Sequence, residues 1–341
     1  RLNDRVFSIR ERLNSNKQNQ IQIFCCTNKE LNLITIDKQT FNRNIQPYEL
    51  PKKTFTNCLE MKPNNFIVLG QNGGSYYVGL LDDKTSTKDN KITNKAYRGI
   101  IKIKNNIAVL TSNSEIPEGE DQLIFYNISK KSISNIIEGY SFTISTNGLA
   151  IIPREKDESK NKILLATCKQ YQKNQKNGIA LLNPQLGDNR RVNKEFYDLG
   201  TFEPYCICPI LTVKNKNDNY ININEEYRKN IDIQDTNYFF VGGFNNEKRE
   251  GQIKLFQVLF KKKAFDTEIK FIQDIVLEDN INDYFDGPIS CILQSHITGH
   301  ILITCYNEKV YLFTPPNMEF YLKNKHEGTE LGKNKISDDL R

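Results

Sequence analysis

The sequence predicts an all-β fold, a β-propeller with six recognisable four-stranded blades, and three observations carry this prediction. One unit recurs six times: a short apolar strand that ends in a small residue, a polar turn, and a second strand rich in Tyr, Phe, Leu and Ile. Each unit is flanked on both sides by another strand-like segment. Helical periodicity is weak along the chain. Four antiparallel strands, repeated radially, are typical of a propeller.

The six repeated units are the predicted central hairpins of the blades. They occupy residues 23–36, 66–81, 107–128, 163–183, 239–260 and 301–313. Their first strands end at Cys26, Gly70, Thr111, Cys168, Gly243 and Cys305, at steps of 44, 41, 57, 75 and 62 residues. The two shortest steps match the blade of about 40–45 residues that is typical of WD40-like propellers. The longer steps contain polar insertions such as 214–236.

The flanking segments supply the other two strands of each blade. The preceding strands are expected at 6–10, 55–61, 98–103, 141–145, 205–211 and 288–295, and the following strands at 44–50, 90–94, 132–138, 194–199, 269–277 and 318–322. We therefore expect one propeller domain over residues 1–322 and an irregular tail over 323–341. A β-sandwich needs about seven strands and would leave most of these segments unused. A seventh blade, supplied from outside these residues, stays open as an alternative.

The composition limits the class of protein. Hydrophobic residues make up 38% of the chain, which is enough for a sizeable core, and no apolar run approaches the ~18 residues of a membrane span. The net charge of +6 leaves nucleic acid open as a partner but does not indicate it. The eight cysteines lie mostly in apolar strand-like runs, which favours reduced thiols and an intracellular location, cytoplasmic or nuclear. Because the chain begins with Arg1, we expect it to be a piece of a longer protein.

Two stretches resemble known propeller families. Residues 288–313 resemble a WD40-like blade, although the Trp-Asp ending of that family is absent and the chain contains no Trp. The stretch 237–314 resembles the scaffold superfamily of the cleavage-and-polyadenylation specificity factor A subunit and the damaged-DNA-binding E3 adaptor. The matching residues are Val241-Gly242, Glu250-Gly251, Gly287-Pro288-Ile289 and Leu312-Phe313. This resemblance implies a scaffold or adaptor role, in a ubiquitin ligase or in RNA processing.

The motifs of common enzymes are missing from the sequence. The glycine-rich turn 70–74 lacks the Lys-Ser/Thr pair of a phosphate-binding loop, and there is no GxSxG nucleophile motif. Zinc could use the ligand types of Cys291, His296, His300 and Cys305, but their spacing on a hairpin is wrong for one tetrahedron. We therefore expect no enzymatic activity, no cofactor and no metal.

Propeller geometry predicts where a partner binds. If the strands of each blade run a-b-c-d, the b–c turns and the d–a connections lie on one face, here called the b–c face. The a–b and c–d turns lie on the other, the a–b face, which also carries the long polar insertions. The b–c face combines aromatic and basic residues, as binding hot spots do. The candidates are Tyr171, Phe202, Phe244, Lys248, Arg249, Tyr284, Phe285 and Tyr306.

The predicted function is therefore a protein-interaction scaffold or adaptor within a multi-subunit complex, with a protein or peptide as partner. Two alternatives remain at this point. One is a propeller enzyme or small-ligand binder that uses the central channel, for which no convergent carboxylates or histidines can be identified. The other is a purely structural domain of a long scaffold, in which case the aromatic residues of the b–c face are buried against their own blades.

Overall fold

A computed structural model describes most of the strand-forming chain. The described residues are 6–11, 20–27, 30–37, 39–49, 55–70, 74–80, 86–93, 97–104, 106–112, 121–138, 140, 142–143, 147–153, 162–169, 176–184, 192–215, 231–260, 267–275, 285, 287–294, 300–307 and 309–313. These residues form 23 strands in six antiparallel sheets, each with its strands in sequence order. The fold is the predicted all-β propeller with six blades.

The chain divides into two compact units, Arg1–Thr146 and Asn147–Arg341, and the first contains blades one to three. Blade one consists of β1 (Val6–Glu11), β2 (Gln20–Thr27), β3 (Glu30–Asp37) and β4 (Arg43–Glu49). Blade two consists of β5 (Phe55–Lys62), β6 (Asn65–Gly70), β7 (Ser75–Leu80) and β8 (Ser86–Thr93). Blade three consists of β9 (Tyr97–Lys104), β10 (Ile107–Ser112), β11 (Leu123–Asn127) and β12 (Ser132–Ile137).

The second unit contains blades four to six. Blade four consists of β13 (Leu149–Pro153), β14 (Lys162–Cys168), β15 (Asn177–Pro184) and β16 (Val192–Gly200). Blade five consists of β17 (Phe202–Asn215), β18 (Ile231–Asn245), β19 (Glu250–Phe260) and β20 (Thr267–Ile275). Blade six has three described strands, β21 (Ile289–Gln294), β22 (Ile301–Cys305) and β23 (Val310–Phe313).

Most strand predictions are confirmed, and one is wrong. The first strand of blade four lies at β13, not at 141–145, where the described residues contain only an isolated bridge at Phe142. Leu149–Pro153 pairs residue for residue with β14, and this continuous ladder outweighs the short alternation of 141–145. The predicted fourth strand of blade six, 318–322, lies outside the described residues. The same is true of the tail 323–341.

Apolar faces of successive sheets form the core of each unit. In the first unit, Phe24 of blade one meets Phe66 of blade two edge to face, with ring centroids 4.4 Å apart. In the second unit, Phe239 and Phe256 of blade five stack at 5.4 Å within a cluster that also contains Leu165 of blade four. The side chains alternate along each strand, so an inner strand can present apolar residues to both neighbours. No helix in the described part of the chain is long and apolar enough to cross a membrane.

Blades five and six are also joined by one side-chain amide. Gln294 on β21 accepts a hydrogen bond from the backbone nitrogen of Leu211 at 2.7 Å and donates one to the carbonyl oxygen of the same residue at 3.0 Å. Leu211 lies on β17 and is only 5% exposed, so water does not readily replace these bonds. The amide thus satisfies both backbone groups of a buried strand residue.

Substitution of Gln294 by Met should lower the free energy of unfolding by about 1–3 kcal/mol, because a buried donor and acceptor lose their partners at nearly constant side-chain volume. Urea unfolding followed by circular dichroism measures this change. Gln257→Met is the matched control, since Gln257 is also half-buried and its side chain has no partner in the described structure. Equal stabilities of the two variants would contradict the role of the amide.

Candidate protein-binding surface on blades four to six

The described candidate residues all lie at the b–c ends of the second unit, as their positions in the blades predict. Lys248 and Arg249 are exposed in the b–c turn of blade five, which follows the half-buried Phe244. Tyr306 is 59% exposed in the b–c turn of blade six. Tyr171 and Tyr284 lie outside the described residues.

Two candidates are core residues, and the expectation that they are exposed is wrong. Phe202 and Phe285 are each 2% exposed. Phe202 belongs to the core between blades four and five. The ring of Phe285 packs edge to face on Tyr311 at 5.3 Å, and its carbonyl oxygen accepts a hydrogen bond from Gly251. For these two rings, the interpretation as buried strand-end residues is correct.

The structure adds a polar cluster that sequence analysis did not identify. The Lys169 ammonium, at the end of β14, lies 2.6 Å from Glu203 Oε2 on β17. The hydroxyl of Tyr205 donates to the same oxygen at 2.9 Å, and Lys169 donates to that hydroxyl at 3.3 Å. Asn246, in the b–c turn of blade five, donates to Glu203 Oε1 at 2.8 Å. One oxygen of the carboxylate therefore joins blade five to blade four, and the other binds a turn within blade five.

Tyr306 of blade six packs on this cluster. Its ring meets that of Tyr205 edge to face, with centroids 5.6 Å apart and an interplanar angle of 72°. The Lys169 ammonium lies 5.2 Å from the centroid of the Tyr205 ring, within cation–π distance. The surface is thus assembled from three successive blades, and the exposed ring of Tyr306 rests on an ordered support.

A β-bulge in β17 turns the side chain of Tyr205 towards the cluster. Pro204 pairs with Gly243 and Cys206 pairs with Gly242, which leaves Tyr205 as the extra residue on β17. A bulge turns the side chain of its extra residue away from strict alternation. Tyr205 therefore reaches the carboxylate of Glu203, whereas its neighbour Cys206 is completely buried in the core.

The hydrogen bonds of the cluster set its charge states. Burial by itself would raise the pKa of the Glu203 carboxyl, but hydrogen bonds from Lys169, Asn246 and Tyr205 together hold it below its ordinary value. Burial raises the pKa of the Tyr205 hydroxyl, and its hydrogen bond to Glu203 raises it further. At neutral pH, Glu203 is therefore an anion and Tyr205 a neutral donor.

The b–c turn of blade five holds its basic residues in place. Asn245 Oδ1 accepts hydrogen bonds from the backbone nitrogens of Glu247 and Lys248 at 3.0 and 3.2 Å. Arg249 has a φ of 57°, the left-handed conformation that closes the turn. The Lys248 ammonium lies 3.7 Å from Glu250 and remains 59% exposed at its side chain. The turn thus presents two cations to solvent with an ordered backbone.

This arrangement suits contact with a partner. Its exposed groups include the Tyr306 ring, the cations Lys248 and Arg249 and the carboxylate of Glu247, while the central ion pair is already satisfied. Among the described residues, no group of three or more His, Cys, Asp and Glu side chains is placed to hold a metal ion. Of the four zinc ligands considered from the sequence, His296 lies outside the described residues.

Comparison with known proteins supports the fold. The structure is similar to the β-propeller domain of Cps50 (Swd1) from Myceliophteria thermophila, with a TM-score of 0.50 and 7% sequence identity, over 91% of this chain and 84% of that domain. No protein-family model matches the chain. No curated protein matches it either. The comparisons thus support a propeller but give no support to membership of the cleavage-factor and E3-adaptor superfamily.

Glu203→Gln should reduce stability at neutral pH by about 1–3 kcal/mol, because the amide loses the charge-assisted hydrogen bonds. The folded-state pKa of Glu203 is lowered, so its contribution is fully present above the unfolded pKa of about 4.3 and is lost as pH falls through the folded value. Urea unfolding of both proteins at pH 7 and pH 3 should therefore show a smaller difference at pH 3. The exposed Glu247→Gln is the control. A difference that does not change with pH would contradict this assignment.

Gly243→Ala should disrupt the support of the cluster, because a Cβ at this position would overlap the carbonyl oxygen of Glu203 and lie 2.8 Å from the ring of Phe202. We expect a loss of about 1–3 kcal/mol in thermal or urea unfolding. Gly200→Asn is the control: Gly200 has a φ of 59° with open space around it, and Asn tolerates that conformation. Similar stabilities of the two variants would show that close packing at Gly243 is unimportant.

Proposed function

We propose that the chain is a protein-interaction scaffold or adaptor and that the b–c face of blades four to six binds a protein or peptide. The observation that carries the proposal is the exposed Tyr306, which packs on Tyr205, at the same b–c ends as the exposed Lys248 and Arg249. In this proposal the chain is not an enzyme and needs no cofactor, since its contribution is a binding surface.

The proposal rests on how interfaces gain affinity. Tyr and Arg are enriched among the residues that dominate binding energy. A side chain that is already ordered loses little conformational freedom when a partner docks. Tyr306 meets both conditions, because its ring is exposed yet packs on Tyr205. A complementary partner would cover this ring with an apolar side chain and offer carboxylates or carbonyl oxygens to Lys248 and Arg249.

The proposal also includes the cellular compartment and the type of complex in which the chain acts. All eight cysteines are free thiols and seven are buried, which supports a reducing intracellular compartment, cytoplasmic or nuclear. A role as a ubiquitin-ligase adaptor or substrate receptor, or as an RNA-processing scaffold, rests only on the sequence resemblance of 237–314. The identity of the partner decides between these roles.

The experiment is affinity purification with mass spectrometry from the native host, with wild type compared with Tyr306→Ala/Lys248→Glu. We expect one discrete complex with wild type and a loss of about tenfold or more with the variant, as for residues that dominate an interface. The matched control is Leu293→Ala/Lys270→Glu, which also removes an exposed apolar side chain and reverses an exposed charge on blades five and six, away from the b–c turns.

Circular dichroism must show that both variants are folded. Recovery of the same complex with both variants, or the absence of any stable complex with wild type, would contradict a binding role for this face. A partner that belongs to neither a ubiquitin ligase nor the RNA-processing machinery would overturn the proposed role in those complexes, but not the proposal that this face binds a protein.

A further inference from the structure

The a–b face of the first unit carries three tight turns that each place a residue other than glycine in the left-handed conformation. These residues are Phe41 (φ 56°) in the c–d turn of blade one, Asn64 (φ 60°) in the a–b turn of blade two, and Lys131 (φ 50°) in the c–d turn of blade three. Asn adopts this conformation readily, but for a bulky side chain such as Phe it is uncommon. Of the three, only Phe41 is a large apolar side chain, which is unusual at a solvent-facing turn.

Phe41 is the most exposed large apolar residue in the described structure, at 79%. Its turn is closed by Asp37, whose Oδ1 accepts hydrogen bonds from the backbone nitrogens of Gln39 and Thr40 at 3.0 and 2.8 Å. The backbone nitrogen of Phe41 donates to the carbonyl oxygen of Asp37 at 2.9 Å. The aromatic ring is thus held out into solvent by an ordered turn.

Exposed aliphatic residues lie at the same ends of blades one and three. Ile21, the second residue of β2, is 41% exposed, and Ile133, the second residue of β12, is 38% exposed. Both strands begin at the a–b face, so these side chains lie on the side of the unit that carries Phe41. The face therefore combines one protruding ring with two partly exposed isoleucines.

The same face is basic. Four exposed cations lie in its turns or beside them: Arg43, Lys62, Lys130 and Lys131. The side chains of these four make no ion pair or hydrogen bond with the described part of the chain. Among the residues whose side chains are described, two acidic ones lie on this face, and both serve the turns themselves. Asp37 closes the Phe41 turn, and the buried Glu60 accepts from the backbone nitrogen of Asn64 at 2.9 Å. No described acidic side chain therefore neutralises these cations.

We propose that the a–b face of blades one to three binds the surface of an anionic lipid bilayer. Each Lys or Arg near such a surface is attracted by the negative potential of the lipid headgroups. Phe41, at the tip of its turn, would enter the boundary between headgroups and acyl chains, and Ile21 and Ile133 would add apolar contact at the same face of blades one and three. This is peripheral binding by turns, and it is separate from the partner-binding face of the second unit.

A single-stranded nucleic acid is the other polyanion to consider. Its proteins combine a basic groove with a series of aromatic platforms on which successive bases stack. Here the described face has one exposed ring, and its other exposed apolar side chains are isoleucines, which have no aromatic face for stacking. Protruding aliphatic and aromatic side chains among cations fit a lipid surface better.

The test is flotation of the whole chain with lipid vesicles. We expect it to bind vesicles of phosphatidylcholine with about 30% phosphatidylserine, but not phosphatidylcholine alone, and to be released by salt, because the attraction is electrostatic. Lys130→Glu/Lys131→Glu should lower the affinity by about tenfold or more, since two attractive charges become repulsive. Phe41→Ser should lower it several-fold, through the loss of the apolar contact.

The matched control is Lys176→Glu/Lys270→Glu, which reverses two exposed lysines in the second unit, changes the net charge by the same amount and should bind the vesicles as wild type does. Circular dichroism verifies the fold of each variant. Absence of vesicle binding, or equal loss of binding in the control, would overturn the proposal. Tighter binding to a single-stranded RNA of about 20 nucleotides, lowered by the same face variants, would assign the face to nucleic acid instead.

Discussion

The structure depends on the burial of apolar sheet faces against the next sheet along the chain. A single four-stranded sheet has two faces and cannot cover both by itself, so each blade inside a unit is stable only between its neighbours. Gly242 shows how closely the sheets of blades five and six approach: a Cβ there would lie 2.6 Å from Ile289 and 2.8 Å from the sulfur of Cys206. Glycine, cysteine and isoleucine are therefore structural requirements of this junction.

Because the sheets supply the stability, the turns are free to differ in chemistry. In the second unit, residues of blades four and five surround one carboxylate, Glu203, and the exposed Tyr306 of blade six packs on Tyr205 of this cluster. In the first unit, turns closed by local hydrogen bonds present Phe41 and exposed lysines that have no side-chain partner among the described residues. The two surfaces are made in different ways, one from contacts between blades and one from single turns. A mutation in a strand should therefore disturb the b–c face of the second unit, which depends on contacts between blades, more than the a–b face of the first unit, which depends on single turns.

Much of the fold can be predicted from the sequence because strand alternation and small residues at strand ends are local signals. They locate the six hairpins and nearly all flanking strands. The sequence misplaces the first strand of blade four because 141–145 alternates polar and apolar residues as a strand does, and only pairing with β14 identifies 149–153 instead. The sequence also places candidate residues on the correct ends of the blades. Their burial is not predictable in this way: Phe202 and Tyr306 both adjoin turns, yet neighbouring blades cover only Phe202. The bulge at Tyr205 gives no signal that strand alternation could detect.

The amide of Gln294 has a consequence for association between molecules. The backbone of Leu211 lies at an edge of β17, and an edge whose donors and acceptors are open is a template for strands from other chains. Gln294 makes the two hydrogen bonds there that an incoming strand would otherwise make. The side chain therefore occupies the position at which another strand would pair with Leu211. Without this amide, the two backbone groups of Leu211 would be open to another strand.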